Sequence, residues 1–170
     1  KYSDNLDPSN REKYNSNLKT ILKQIKQIET LVNEFSDFAR MPKPLLKRNN
    51  IVEVVNNNIE ILKNISKDIK INFNLKNQKS LFFMFDNEQI SRVFFNLIKN
   101  SIESIQEKSS KSTDFDKIID IEIIERKDYI NINLSDTGIG FLKNNAKQLI
   151  KPYFTTKVKG SGLGLSIVNK

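Results

Sequence analysis

The chain has 170 residues, 38% of them hydrophobic, which is enough for one domain with a genuine core together with a helical arm. It contains neither cysteine nor histidine, and this composition excludes disulfides, zinc ribbons, thiol nucleophiles, imidazole metal sites and a phosphohistidine within the chain. The formal net charge of +8 is scattered without a long cationic block, so we interpret it as solvated surface and expect no nucleic-acid partner.

Residues 1–41 are predicted to form a helix with the spacing of a coiled coil. Apolar residues follow one another at alternating steps of three and four, as at the a and d positions of a heptad repeat. This apolar seam consists of Leu18, Ile21, Ile25, Ile28, Val32, Phe35 and Ala39. An amphipathic helix packed on its own domain would show a similar stripe, but the nearly unbroken seam favours a self-associating bundle. Pro42 and Pro44 are expected to end the helix, and residues 42–50 are interpreted as a linker.

The rest of the chain, residues 51–170, has a mixed α/β pattern. Helical spacing of apolar residues predicts a helix at 51–62, and apolar alternation predicts a strand at 69–75. A second strand is predicted at 81–85, which is also the longest uninterrupted apolar run in the chain. A transmembrane helix needs roughly 20 apolar residues, so no part of this 170-residue chain is expected to cross a membrane. With no signal-peptide pattern and no cysteine, a cytoplasmic location is the default expectation.

A long buried helix is predicted after the second strand. Asp86 can cap its first turn, with Gln89 three residues later completing a capping-box-like pair. Its apolar face comprises Val93, Phe94, Leu97, Ile98, Ser101, Ile102 and Ile105.

The same helix carries three polar residues, Asn96, Asn100 and Glu103, which the spacing of four and three places on one face. Polar groups between apolar neighbours are costly unless something satisfies them, and a magnesium ion bound by an Asn carbonyl would do so. Taken alone, however, the pattern favours side chains that cap neighbouring backbone or face solvent.

A polar loop at 108–116 precedes a predicted β-hairpin. Its strands are expected at 119–123 and 130–134, with the turn at residues 127–128. The second strand of the hairpin leads directly to Asp136.

Asp136 begins the run Asp-Thr-Gly-Ile-Gly. Its carboxylate could accept a hydrogen bond from the exocyclic amine of adenine and would disfavour guanine, whose carbonyl would face it. Alternatively, Asp136 simply begins a turn, with Gly138 and Gly140 supplying positive φ angles.

A second glycine cluster holds three of the five glycines in the chain: Gly160, Gly162 and Gly164. It opens an apolar helix whose first backbone amides could meet phosphate oxygens. The alternative is a flexible hinge. The pattern fits neither a Walker loop, which needs Gly-Lys-Ser/Thr, nor the dinucleotide fingerprint, which needs a small residue at Leu165.

The order of these motifs resembles the N, G1, F and G2 boxes of sensor histidine kinases. The boxes correspond to residues 96–103, 136–140, 152–157 and 160–165. In addition, residues 34–42 resemble the end of the dimerisation helix in nitrogen-regulation sensor kinases of the NtrY and NtrB type. The resemblance covers essentially the whole chain.

This resemblance implies that residues 1–41 are the second helix of a dimerisation and phosphotransfer hairpin. Residues 51–170 would be a C-terminally truncated catalytic domain of the gyrase, chaperone and kinase superfamily, an α/β two-layer sandwich with a mixed sheet. It also implies a homodimer through the N-terminal helix, a response regulator as partner, and a cytoplasmic location, at the inner membrane if the intact protein is anchored there.

The ligands that the resemblance implies are ATP and Mg²⁺. Asn100 would hold the metal, Asn96 and Glu103 would assist, and Asp136 would read adenine. The remaining implied nucleotide-binding residues are Gly138, Gly140, Thr155, Lys157, Gly160, Ser161, Gly162, Leu163 and Gly164.

The implied reaction is in-line transfer of the γ-phosphoryl group of ATP to a histidine, expected upstream of residue 1, and thence to a response regulator. The chain alone is therefore not expected to phosphorylate itself. Two alternatives stay open. An ATP hydrolase of the same superfamily would typically carry a water-activating Glu where this chain has Asn96. A non-catalytic dimeric binding module would lack magnesium-dependent ATP binding.

Overall fold

The structure is a computed structural model that describes residues 8–39, 42–75, 80–112, 114–141, 146–155 and 162–168. The chain divides into two compact units between residues 41 and 42. Nowhere in the described ranges does a helix combine the length and the apolar character that a membrane span requires.

The first unit contains one long helix, α1 (Pro8–Ala39), as the heptad spacing predicted. Its apolar seam is on the surface. Among the large apolar side chains of this helix that the structure describes, exposure ranges from 39% at Leu18 to 64% at Leu22. The side chain of Ala39, the last predicted seam residue, lies outside the described part of the chain. Within the described part of this unit, the seam therefore has no apolar cover.

The second unit alternates helices and strands, which confirms the predicted mixed α/β pattern. Its elements are β1 (Lys47–Asn50), α2 (Ile51–Lys63), β2 (Lys70–Leu75), β3 (Phe82–Phe85), α3 (Asn87–Ser109), β4 (Ile118–Glu125), β5 (Ile130–Asp136), α4 (Ala146–Leu149) and α5 (Gly164–Val168).

The main sheet is mixed, as the resemblance implied. Strand β2 runs parallel to β4, and β4 pairs antiparallel with β5 in the register that sets Ile119 opposite Asp136. The β4–β5 hairpin closes where it was predicted, because the Arg126 amide donates to the Tyr129 carbonyl oxygen at 2.8 Å across residues 127–128. This hairpin fixes where Asp136 leaves the sheet.

Strand β1 lies within the segment interpreted as a linker. It pairs antiparallel with β3, setting Lys47 opposite Phe85 and Asn50 opposite Phe82. Its sequence, Lys-Arg-Asn-Asn, has no apolar alternation, so nothing local signalled a strand. Strand β1 is held by its backbone pairing with the apolar strand β3.

The core lies between helices α2 and α3 and one face of the main sheet. Along β4 the side chains of Ile119, Ile121 and Ile123 are buried, and the intervening residues are more exposed, as expected of a sheet covered on one side. The two helices are linked by Asn58, which is 2% exposed and donates to Ser91 Oγ at 2.9 Å. Helix α3 is thus joined to α2 by a hydrogen bond, and it shares the apolar core with α2 and β4.

An apolar cavity of about 430 Å³ lies between α3, β3 and β5. Its walls include Phe83, Phe85, Phe94, Leu97, Ile132 and Leu134. Among the residues that the structure describes, no residue implied to bind a nucleotide lines this cavity, so it lies apart from the described part of the candidate site.

Candidate functional site

The start of α3 is held by Asp86 at the predicted N-cap. Its Oδ1 accepts a hydrogen bond from the Gln89 amide at 3.0 Å, and its Oδ2 accepts one from the Leu45 amide at 2.7 Å. The Gln89 amide, and after it the Leu45 amide, hold the pKa of the Asp86 carboxyl below its ordinary value. The Gln89 side chain donates to the Pro42 carbonyl oxygen at 2.9 Å. The predicted cap is confirmed, and Gln89 reaches the preceding segment.

The polar face of α3, formed by Asn96, Asn100 and Glu103, is partly buried. The side-chain Nδ2 of Asn96 donates back to the Arg92 carbonyl oxygen at 2.9 Å. A Cβ atom placed on Gly164 would lie 3.4 Å from Asn96 Oδ1 and 3.7 Å from Asn100 Nδ2. The first residue of α5 therefore meets the two asparagines that were expected to bind magnesium and assist it.

Residues 136–140, here called the acidic turn, leave the end of β5. Oδ1 of Asp136 accepts a hydrogen bond from the Gly138 amide at 2.9 Å, which closes the turn on the carboxylate. The Thr137 hydroxyl donates to the Asp116 carbonyl oxygen at 2.7 Å and accepts from the Ile118 amide at 3.0 Å. The carboxylate is thus carried by a turn that is fastened to the start of β4.

Gly138 brings the acidic turn into contact with α3. A Cβ atom there would lie 2.1 Å from Ser104 Oγ and 2.7 Å from the Ser104 carbonyl carbon. The Ile139 amide donates to the same hydroxyl at 3.1 Å. Gly140 has a φ of +69°, as the turn interpretation required, whereas Gly138 is needed for close approach and not for positive φ.

The segment before the second glycine cluster packs against it. The Tyr153 amide donates to the Gly162 carbonyl oxygen at 3.0 Å. Gly162 has a φ of +71°, and a Cβ atom there would lie 2.5 Å from the Tyr153 carbonyl carbon. Thr155 is exposed, while Leu163 is 2% exposed and anchors the start of α5.

Three predicted site residues, Lys157, Gly160 and Ser161, lie outside the described residues. Of the remainder, the structure joins the polar face of α3 to Gly164 on one side and to the acidic turn on the other. Two residues that make the second junction were not among the predicted site residues: Ser104, which accepts from the Ile139 amide, and Lys108, whose Nζ donates to the Thr137 carbonyl oxygen at 2.7 Å. Ser104 follows Asn100 by one helical turn, which was an available signal for its position on this face.

The side chains brought together suit a nucleotide and its metal. The side-chain amides of Asn96 and Asn100 are of the type that binds Mg²⁺, and they lie beside Gly164. Any residue with a Cβ atom at position 164 would bring that atom to 3.4 Å from Asn96 Oδ1. At the other end, the partly buried Asp136 has a carboxylate that can accept hydrogen bonds from a base.

Comparison with known proteins gives a consistent result. Residues 85–170 match the family described as histidine kinase-, DNA gyrase B-, and HSP90-like ATPase. A sensor histidine kinase from Rickettsia felis, described as NtrY-like, is 32% identical over 160 residues, covering 94% of this chain and 26% of the relative. The nitrogen regulation protein NtrY of Azorhizobium caulinodans is 29% identical over 160 residues, covering 94% of this chain and 20% of that relative. The chain thus spans about a quarter of these relatives or less.

Solved structures share the fold. Full-length ShkA in complex with AMPPNP has a TM-score of 0.70 at 16% identity, covering 91% of this chain and 32% of that one. The catalytic domain of the histidine kinase ThkA has a TM-score of 0.60 at 23% identity, covering 72% of this chain and 76% of that one. The two-layer α/β architecture described above is therefore that of histidine kinase catalytic domains.

Proposed function

Because this chain belongs to the family of histidine kinase-, DNA gyrase B- and HSP90-like ATPases, we propose that residues 51–170 bind ATP as the catalytic part of a two-component sensor histidine kinase. The γ-phosphoryl group would pass to a histidine outside this sequence, which contains none, and then to a response regulator. The relatives described as sensor kinases support this choice within the family.

One observation carries the proposal. Gly164 lies against Asn96 and Asn100, and the acidic turn is hydrogen-bonded to Ser104 on the next turn of the same helix. Three motifs that are distant in sequence therefore meet along one face of α3. A purine ring near Asp136 and phosphates near Gly164 would both be within reach of that face.

Each group has a proposed role. Asn100 would hold Mg²⁺, with Asn96 and Glu103 assisting, and the ion would supply charge neutralisation for the phosphates. Asp136 would accept a hydrogen bond from the adenine amine. Backbone groups would meet the phosphates at Gly162, Leu163 and Gly164. Nearer the base, the nucleotide would meet the backbone of Gly138 and Gly140. Thr155, Lys157, Gly160 and Ser161 join this set on motif order alone.

A kinase is favoured over a hydrolase by the chemistry of Asn96. A carboxamide cannot act as the general base that activates water, and the Asn96 amide group already donates to the Arg92 carbonyl oxygen at 2.9 Å. The side chain is therefore suited to orienting groups and not to removing a proton.

The proposed partners are a second copy of this chain and a response regulator. The exposed apolar seam of α1 supports the first, since heptad seams are buried by a facing helix. The cytoplasmic location, beside the inner membrane for an anchored intact protein, belongs to the same proposal.

The proposed function is tested by titration calorimetry with ATP and magnesium. The wild-type chain should bind ATP saturably, and Asp136→Asn should weaken binding at least about tenfold, because an amide in place of the carboxylate loses a charge-assisted hydrogen bond. Asp128→Asn, an exposed change in the β4–β5 turn, is the matched control and should bind as the wild type does. Equal affinity in all three proteins would contradict the assignment of Asp136.

A further inference from the structure

Lys108, near the end of α3, reaches across to the acidic turn. Its Nζ donates a hydrogen bond to the Thr137 carbonyl oxygen at 2.7 Å. The same ammonium lies 4.3 Å from the centroid of the Phe115 ring, within the range of a cation–π interaction. The side chain is partly buried. Two partners therefore order a lysine that would otherwise extend into solvent.

We infer that Lys108 is a positioning residue that aims the Asp136 carboxylate, and that it thereby sets the preference of the site for adenine over guanine nucleotides. The inference rests on the proposed function. The residue that Lys108 contacts, Thr137, follows Asp136 directly in the chain. Lys108 lies outside the four motifs at residues 96–103, 136–140, 152–157 and 160–165.

The acidic turn is held at three points. The Thr137 hydroxyl fastens it to the start of β4, the Ile139 amide to Ser104, and the Thr137 carbonyl oxygen to Lys108. The last of these is the charged one, and hydrogen bonds to charged groups are stronger than neutral ones. Lys108 therefore resists rotation of the peptide plane that joins Thr137 to Gly138.

Rotation of that plane would move the carboxylate. The Gly138 amide donates to Asp136 Oδ1 at 2.9 Å, so this amide and the carboxylate shift together. Adenine presents a donor where guanine presents an acceptor, and a fixed carboxylate favours the first and repels the second. A carboxylate freed to move would lose affinity for adenine and would also stop excluding guanine.

The test compares Lys108→Met with the wild-type chain, using titration calorimetry with ATP and with GTP in the presence of magnesium. Methionine keeps an unbranched apolar side chain and removes the donor and the charge. We expect the dissociation constant for ATP to rise about tenfold, the value for one lost charge-assisted hydrogen bond, and the preference for ATP over GTP to fall by at least the same factor. Lys108→Arg keeps a cationic donor and should retain most of the preference.

Lys111→Met is the matched control. Lys111 lies one turn from Lys108 and pairs with Glu107 at 3.0 Å on the exposed side, so its removal should leave both affinities unchanged. The nucleotide preference is the decisive readout, because partial unfolding lowers the active fraction for ATP and GTP alike. If Lys108→Met does not fold, Phe115→Leu removes the ring that holds the ammonium and should lower the preference in the same direction.

The outcomes separate the two claims. If the wild-type chain prefers ATP and Lys108→Met keeps that preference, the role of Lys108 is overturned while the nucleotide site stands. If the wild-type chain binds neither nucleotide, the proposed function fails and the inference fails with it. A preference that falls in Lys108→Met, persists in Lys108→Arg and is unchanged in Lys111→Met supports the inference.

Discussion

The two glycines of the acidic turn meet different physical demands. At Gly138 a methyl group would collide with the Ser104 side chain and backbone, whereas at Gly140 nothing lies within 4 Å of an added Cβ atom and the constraint is a φ of +69°. Gly138→Ala should therefore destabilise the fold by about 1–3 kcal/mol through overpacking, and should also weaken ATP binding by displacing Asp136. Urea unfolding and titration calorimetry measure the two effects.

Gly140→Asn is the control for that change. Asparagine tolerates positive φ, so its stability cost should be about 1 kcal/mol or less. Were Gly138→Ala to destabilise the fold no more than Gly140→Asn does, the close contact between the acidic turn and Ser104 would not matter for the fold.

Asp86 gives the stability of the protein a defined pH dependence. Its folded pKa lies below the ordinary value of 3.8, because the Gln89 and Leu45 amides stabilise the ionised carboxylate. The stability that it contributes is therefore present above that value and is lost as the pH falls through the folded pKa. Urea midpoints of the wild-type chain should decline on acidification below about pH 5 more steeply than those of Asp86→Asn.

The asparagine variant retains an oxygen acceptor for the helix cap but has no charge to lose. Its stability should be lower than that of the wild type near neutral pH and should approach it in acid. Asp128→Asn, in the exposed hairpin turn, should follow the wild-type curve throughout. Parallel curves for the wild type and Asp86→Asn would show that the carboxylate is not held by these amides.

At the scale of elements, Asn50 joins strand β1 to helix α2. Its Oδ1 accepts hydrogen bonds from the Val52 amide at 3.2 Å and from the Leu81 amide at 3.1 Å, and the residue is 8% exposed. Asn50→Ala should cost about 2 kcal/mol, since it removes a helix cap and leaves the buried Leu81 amide without this acceptor. Chemical denaturation provides the measurement.

Asn64→Ala, at the exposed opposite end of α2, is the comparison. Its side chain donates to the Glu60 carbonyl oxygen at 3.2 Å on the surface, so the change should stay within about 0.5 kcal/mol. Similar losses in the two variants would argue that Asn50 acts only as a local cap.

Elements with a strong hydrophobic period could be predicted from the sequence. The seam of α1, the buried face of α3 and the alternating strands of the β4–β5 hairpin each carry their signal within one segment. Strand β1 carries none, because its pairing partner lies more than 30 residues away and its own residues are polar. Its stability as a strand is a tertiary property.

The candidate site likewise has features that the sequence motifs predicted and features that depend on contacts between distant residues. The order of motifs predicted that Asn96, Asn100, Asp136 and Gly164 belong to one site. The hydrogen bonds from Lys108 to Thr137 and from Ile139 to Ser104 span 29 and 35 residues, so no local pattern could reveal them. Only the packing of the hairpin on α3 brings those partners together.

At the scale of the whole molecule, α1 carries an apolar seam whose described side chains from Leu18 to Phe35 are exposed. Ile25, at the centre of the seam, is 56% exposed. Ile25→Glu should raise the dissociation constant of the dimer at least about a hundredfold, because the interface would bury an unpaired charge in each copy. Sedimentation equilibrium across a range of protein concentrations measures the change.

Thr30→Glu places the same charge on the opposite side of α1, where Thr30 is exposed, and should leave association intact. A wild-type chain that stays monomeric at all concentrations, or an Ile25→Glu variant that still dimerises like the wild type, would contradict the proposed dimer.

The central claim is that one face of α3, the acidic turn and the start of α5 together form an ATP site. A crystal structure of the chain with a non-hydrolysable ATP analogue and magnesium tests it most directly. We predict the adenine amine within hydrogen-bond distance of the Asp136 carboxylate and the magnesium ion beside Asn100. A nucleotide bound elsewhere, with Asp136 and Asn100 both untouched, would contradict the account.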